Sequence, residues 1–392
     1  MSIIQANSIL DASGGNTTTV NGVTPNSNSV IGRSLIINGA MQVAQRGTSQ
    51  TNVGPNNSNE GFTVLDRFQI SLSGNQVSTF SQSTDAPAGF SNSAKIEITT
   101  AESSLAATQF FHLRYGFEGQ DLQCLAKGTS DAKKFTVSFY VKSNKTGVYT
   151  VHLFDTDNNR QNALSYTINS SNTWERKTLT FNGDTTGALD NDNNLSLRLN
   201  FALLGGANLK NGTFFNGTWG PDVDANSVHP NQVNFADTVG NEWYITGVKF
   251  EVGDVATPFE HRSFGEEIKL CQRYFQVFPR TGGTLRWHVT YYNTQVYAVD
   301  RLQPMRALPT VTDKATGTST ASGFNLYALD GDNMNSSTSE GNAPTLSSQG
   351  LPENCVIIAN WTGLSKPTGV ANHPGGASYN GATPGIFCSA EI

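Results

Sequence analysis

The chain has 392 residues and a formal net charge of -6. Hydrophobic residues make up 37 % and charged residues 14 %, below the ~45–50 % and ~25 % of ordinary soluble domains. Gly, Asn, Ser and Thr fill the gap, as expected for many short strands joined by polar turns or for a thin, extended molecule. No Lys/Arg run provides the electrostatic footprint of nucleic-acid binding. No apolar stretch approaches the ~20 residues of a membrane span, which argues against membrane insertion.

The amino-terminal MSIIQANSIL lacks the basic region of a secretory signal. Residues 1–34 read as an extended arm, too poor in apolar residues to build a core. Its small anchors, Ile3, Ile4, Ile9 and Leu10, suit docking onto another protein. An arm of this kind is either a loose terminus or one ordered by its partner.

Strict alternation follows within residues 60–260. Phe135, Val137, Phe139 and Val141 alternate with Thr136, Ser138, Tyr140 and Lys142. Leu195, Leu197, Leu199, Phe201 and Leu203 alternate with Ser196, Arg198, Asn200 and Ala202. This period puts one face in a core and the other in solvent. Turn clusters such as SNKTG, DTDNN and NGDTTG separate the runs. Together they predict an antiparallel β-sandwich over 35–262. The polar stretch 205–235 reads as a long loop excursion, and loops of that length are usually functional or interfacial.

Ser263 and Glu266 have capping-box spacing, which predicts a short linker helix over 263–279. Phe264, Ile268, Cys271 and Phe275 recur at intervals of four, three and four. That stripe packs either on the helix's own sandwich or in a bundle around a symmetry axis, where these four residues would form a trimer interface. Residues 280–392 predict a second, smaller β domain, with strands near 285–292, 295–299 and 355–361, loops at 313–323 and 331–350, and a closing strand in ATPGIFCSAEI.

No catalytic constellation stands out: GxSxG, HExxH and the P-loop are absent, so no enzyme and no cofactor is expected. Cys124, Cys271, Cys355 and Cys388 form no CxxC pair, and free thiols are expected of a chain made in a reducing cytoplasm. Cys355 and Cys388 are the pair that could bridge. The six histidines share no ligand spacing, and His112 and His152 read as satisfied structural residues of strands. The pairs Asp155/Asp157 and Asp190/Asp192 could hold Ca²⁺, but without EF-hand grammar they read as plain turns, and no metal site is assigned. Exposed aromatics are the more informative signal. Sugar faces stack on Trp and Tyr while sugar hydroxyls seek amides and charges. Trp287, Tyr291, Tyr292, Trp361 and Tyr379 are the candidates for such contacts in the carboxy-terminal region.

Four strings together resemble the fibre and appendage proteins of tailed bacteriophages, especially marine and cyanobacterial ones. They are ASGGNTTTVNG (12–22), LIINGAMQVAQRGTS (35–49) with Asp66-Arg67-Phe68 following, WYITGVKFEVGDVATPFEHRSFGEEIKLCQRYFQVF (243–278), and Met305-Arg306-Ala307-Leu308-Pro309-Thr310. The resemblance implies a carbohydrate-binding-like jelly-roll module, with 35–49 as a strand entering it. It also implies a homotrimer and a place on the virion, on a tail or a head fibre. It carries no catalytic residue. The expected function is therefore a fibre subunit docked to other virion proteins through its arm, with a host surface glycan as partner of its distal domain. A purely structural capsid fibre, decoration or adaptor subunit is the alternative.

Overall fold

The computed structural model describes residues 34–54, 59–278, 287–292, 295–313, 324–330, 333–335, 345–352, 356–362, 375–379 and 386–392. The arm anchors Ile3, Ile4, Ile9 and Leu10, and Cys355, lie outside them. The chain divides into two compact units, 1–267 with residue 392, and 268–391.

The first unit is an antiparallel sandwich. Its strands are β1 (Ser49–Val53), β2 (Phe68–Ser73), β3 (Val77–Ser83), β4 (Ser93–Thr100), β5 (Phe110–Glu118), β6 (Phe135–Ser143), β7 (Gly147–Asp155), β8 (Arg160–Ile168), β9 (Glu175–Phe181), β10 (Leu195–Gly205), β11 (Gly220–Pro221) and β12 (Glu242–Val252). One sheet runs β1-β3-β4-β12-β6-β9 and the other β11-β8-β7-β10-β5-β2. Within them β4 pairs with β12, β5 with β10, β6 with β9 and β7 with β8. Those pairs are the rungs of one long hairpin wrapped around a barrel, so the strand order itself makes the module a jelly roll.

The alternation seen in the sequence accounts for the core. Phe135, Val137, Phe139 and Val141 of β6 face Leu197, Leu199, Phe201 and Leu203 of β10, all buried. Rings lock the sheets together: Phe139 meets Phe201 edge-to-face at 5.1 Å, and Phe117 meets Phe250 at 5.0 Å. In β12 the register shifts between Thr246 and Lys249, and Gly247 takes a φ of 61°. This is a β-bulge at the glycine.

Two local expectations need correction. Residues 35–48 form no strand. Asn38 organises them instead. Its side chain donates to the carbonyls of Val43 (2.8 Å) and Asp66 (3.0 Å) and accepts from the Val43 N–H at 2.9 Å. An amide that satisfies three backbone groups competes with any ladder. The helix is also shorter than 263–279. Helix α1 spans Phe264–Gln272, with the capping box in place: Ser263 N–H donates to Glu266 at 3.0 Å, and Glu266 N–H to Ser263 Oγ at 3.3 Å. The chain then turns at Tyr274, whose N–H donates to the Cys271 carbonyl at 2.9 Å, and enters β13 (Phe275–Phe278).

The second unit is also β. A three-stranded sheet runs β13-β22-β16, built from β13, β16 (Thr310–Asp313) and β22 (Ile386–Ser389). A seven-stranded sheet contains β14 (Trp287–Tyr292), β15 (Gln295–Arg301), β17 (Phe324–Asp330), β18 (Asn333–Asn335), β19 (Thr345–Gln349), β20 (Val356–Thr362) and β21 (Gly375–Tyr379). Its order is β18-β17-β21-β14-β15-β20-β19. β18 and β19 fall inside the stretch expected to be loop. The Met305–Thr310 string lies against the three-stranded sheet, where Arg306 donates to the Ala390 carbonyl at 3.0 Å.

Candidate functional site

The outer face of the β11-β8-β7-β10-β5-β2 sheet carries a groove of about 300 Å³. Its floor comes from alternate positions of four strands. Those are Phe110, His112 and Arg114 of β5, His152 and Phe154 of β7, Gln161 of β8, and Arg198 and Asn200 of β10. Register sets the rows. Arg114 lies opposite Asn200, which lies opposite His152; Arg198 lies opposite Phe154, which lies opposite Gln161. The excursion 205–235 supplies the wall. It folds back on itself, with Val228 N–H donating to the Leu209 carbonyl at 3.0 Å, and it brings Asn208, Asp222, Asp224 and Ser227 to the groove. The long loop expected from the sequence is thus a structured side of the site.

The floor is polar and half-satisfied. His152 is fully engaged, with Nε2 2.7 Å from Gln161 Oε1 and Nδ1 3.1 Å from Asn200 Nδ2. Gln161 in turn donates to the Val223 carbonyl at 2.7 Å, tying floor to wall. Burial is the main reason His152 is neutral, its pKa pulled down to about 4. His112 is different. It is 8 % exposed, and neither ring nitrogen has a hydrogen-bond partner. Burial first, then the charge of Arg114, holds it well below the usual imidazole range. Phe110 stacks on its ring at 5.1 Å. His152 is therefore the satisfied structural histidine expected from the sequence, and His112 is not. Asn200 Oδ1 is likewise buried and unpartnered. Two unsatisfied buried groups at the bottom of an open groove are unfavourable for the fold alone.

A second polar cluster lies in the same unit. Lys127 Nζ sits 2.6 Å from Asp155 and 3.1 Å from Asp184, and donates to the carbonyls of Thr186 (3.0 Å) and Gly187 (2.8 Å). The oxygens of Asp155 that a divalent ion would need are thus held by an ammonium. Asp155 also accepts from Asp157 N–H at 3.0 Å, and Asp190 N–H donates to Asp157 at 2.9 Å. The D-x-D segments read as possible calcium ligands are braced turns. Among the described residues no cluster of His, Cys, Asp and Glu has metal-binding geometry.

Other positions singled out from sequence fall elsewhere. Trp287 and the tyrosines 291 and 292 are on β14, Trp361 on β20 and Tyr379 on β21. The pairings Trp287–Ala377 and Tyr291–Val296–Trp361 put positions 287, 291, 361 and 379 on one face of the sheet and Tyr292 on the other. Of the proposed interface stripe, Phe264 is exposed, Ile268 is half-buried, and Cys271 and Phe275 are buried. Phe275 belongs to β13 and packs edge-to-face on Phe387 at 5.1 Å, so the four residues do not form one helical stripe. Arg114, Arg198 and Asn200 were missed as site residues. The available signal was the kind of side chain at the outward positions of alternating strands: His, Arg and Asn with Phe between, where Ser, Thr and Lys are the usual choice.

No protein-family model matches the chain, and no curated protein matches its sequence. Solved structures match weakly. The enzymatically active domain of bacteriophage CBA120 tailspike protein 4 is 14 % identical over 47 % of this chain and 19 % of that one, with a TM-score of 0.29. The family 11 carbohydrate-binding module from Clostridium thermocellum, in complex with a β-1,3-1,4-mixed-linked tetrasaccharide, is 9 % identical over 54 % of this chain and 98 % of that one, with a TM-score of 0.28. TmCBM61 in complex with β-1,4-galactotriose is 8 % identical over 56 % and 99 %, with a TM-score of 0.27. The chain thus spans about a fifth of the tailspike's length. Likenesses this slight decide nothing about this chain, and its jelly roll rests on its own strand order.

Proposed function

We propose that the chain is a structural fibre subunit of a tailed-phage virion, docked to other virion proteins through residues 1–34, and that it binds a host surface glycan in the groove of its sandwich. The virion assignment is supported by the four strings that resemble phage fibres. The observation that carries the binding role is His112, buried at the groove floor with both ring nitrogens unpartnered. Saccharide hydroxyls both donate and accept, which suits a neutral imidazole with one N–H and one lone pair. The apolar faces of sugar rings suit Phe110 and Phe154.

The role is binding without cleavage. Hydrolysis of a glycoside needs two carboxyl groups on opposite sides of the bond. The two carboxylates lining this groove, Asp222 and Asp224, come from one loop two residues apart. The test is titration of the full-length protein with purified host surface polysaccharide. Binding in the ~0.1–1 mM range per site is expected, with loss in His112→Phe at unchanged melting temperature and no release of reducing ends. Unchanged affinity in that variant would remove the groove from the proposal.

A second reading places the receptor contact in the carboxy-terminal region 280–392. The register that gathers Trp287, Tyr291, Trp361 and Tyr379 onto one sheet face favours it. Trp361→Ala and His112→Phe, compared in one phage-adsorption competition assay, separate the two sites.

A further inference from the structure

The floor of the groove contains two guanidinium groups without counter-ions. Arg114 and Arg198 stand on adjacent strands, with Arg198 two residues from Asn200, the residue opposite Arg114. That is a diagonal cross-strand relation, with Cα atoms roughly 7–8 Å apart. Each lies against a phenylalanine ring, Arg114 over Phe110 at 5.5 Å and Arg198 over Phe154 at 5.9 Å. Among the described residues neither makes a hydrogen bond or an ion pair, and Arg114 Nε is buried without a partner. Burial, and then the neighbouring Arg198, pull Arg114 down to about 10. Half-buried like charges side by side are unfavourable unless an anion joins them.

The nearby carboxylates do not supply that anion. Glu60 acts on Arg114 only through longer-range attraction. Asp222 and Asp224 belong to the wall, and burial together with Asp224 raises Asp222 above the usual carboxylate range. Floor and wall therefore differ in kind. The floor offers planar donor forks, which match carboxylate or sulfate geometry. The wall offers acceptors for hydroxyl donors. A ligand that uses both carries an acidic group on one part and free hydroxyls on another, and an acidic sugar has that combination.

We propose that the groove selects acidic saccharides, holding the carboxylate or sulfate of a uronic-acid or sulfated sugar between Arg114 and Arg198 while His112, Asn200 and the wall take its hydroxyls. This rests on the saccharide reading of the groove and adds the charge of the ligand to it.

The experiment is calorimetric titration of the full-length chain with three probes: trigalacturonate, a sulfated carrageenan tetrasaccharide, and neutral β-1,4-galactotriose. At least one acidic probe should bind ten-fold or more tightly than galactotriose. Its affinity should fall as salt rises from 20 to 300 mM, and Arg114→Gln and Arg198→Gln should each abolish the preference. Preference for trigalacturonate alone or for the sulfated probe alone identifies which acid is held. Arg198→Lys keeps the charge but loses the fork, and should retain part of the preference. Because Arg114 is partly buried, the melting temperature of each variant is measured alongside; Arg198→Gln carries the test if Arg114→Gln unfolds. Equal or tighter binding of galactotriose, sensitive to His112→Phe, overturns the acidic preference and leaves the glycan site standing. No binding of any probe at 10 mM overturns both.

Discussion

At the residue scale the strongest constraints are buried charges and the histidines that refuse one. His112 and His152 stay neutral in the folded chain, whereas in the unfolded chain they protonate near pH 6.5. Their folded pKa values are depressed, so as pH falls below 6.5 the unfolded state takes up protons that the native state does not. Stability therefore falls with pH in that window. At about 1.4 kcal/mol per pH unit, His152 alone accounts for about 3 kcal/mol by pH 4. In the upper part of that window, nearest pH 6.5, unfolded carboxylates are almost fully ionised, so the slope there belongs mainly to the imidazoles. Urea midpoints across that range should decline in the parent protein and flatten in His112→Gln/His152→Gln. Lys127 presents the opposite case, a cation the core depends on. Replacing it with Met leaves Asp155 and Asp184 facing each other with only Arg160, 2.7 Å from Asp184, to compensate. A loss of about 3–5 kcal/mol is expected, read as a fall of roughly 10 °C in melting temperature.

At the element scale, distant segments meet at the bulge of β12. Leu35 N–H donates to the Phe250 carbonyl and Val248 N–H to the Gly39 carbonyl, both at 2.9 Å, so residues 35–39 ride on the irregular part of that strand. Arg262 reaches the carbonyls of Ser34 (2.9 Å) and Ile36 (3.1 Å) and pairs with Glu267 at 3.2 Å, while Asn38 N–H donates to Glu267. The strings 35–49, 66–68 and 243–267, far apart in sequence, thus converge on one joint. Gly247 is one of its close points: a Cβ there would lie 2.7 Å from Phe90 Cζ, at a φ that side chains avoid. Gly247→Ala should cost about 1–3 kcal/mol in urea unfolding. Hydrogen exchange should report earlier opening at the amides of Leu35 and Asn38 than in the rest of the sandwich. Uniform loss across the sandwich would mean that the joint does not open as a unit.

At the scale of the whole molecule, we propose that the fibre is a homotrimer, as the resemblance to phage fibres implies. Phe264, the exposed large apolar side chain at the start of α1, and the half-buried Ile268 remain available to it. Light scattering at micromolar concentration should give three times the chain mass, and Phe264→Glu should lower it. A monomer in the parent protein would sink the trimer and leave the groove untouched, since every groove residue comes from one chain. Deleting residues 1–33, which spares the Ser34 carbonyl held by Arg262, should leave the sandwich's melting temperature unchanged and abolish incorporation into virions.

The sequence alone determined the sandwich, because period-two alternation is a one-dimensional record of which strand face is buried. Ser263 and Glu266 likewise made the helix start legible, because a capping box is local. The helix end was not: Phe275 sits at a helical interval from Cys271, and only its pairing with Ser389 in β22, 114 residues away, makes it strand. The jelly-roll order, inferred from resemblance, became a property of this chain only through its pairings. The groove was the least legible feature. His112, Arg114, His152, Arg198 and Asn200 come from three strands, and each looks like an ordinary outward position in its own strand. Cross-strand register, a non-local property, decides that they are neighbours. The fold of 205–235 against them forms the wall beside the buried His112, His152 and Asn200 and the half-buried arginines, and that turns polar surface residues into a site.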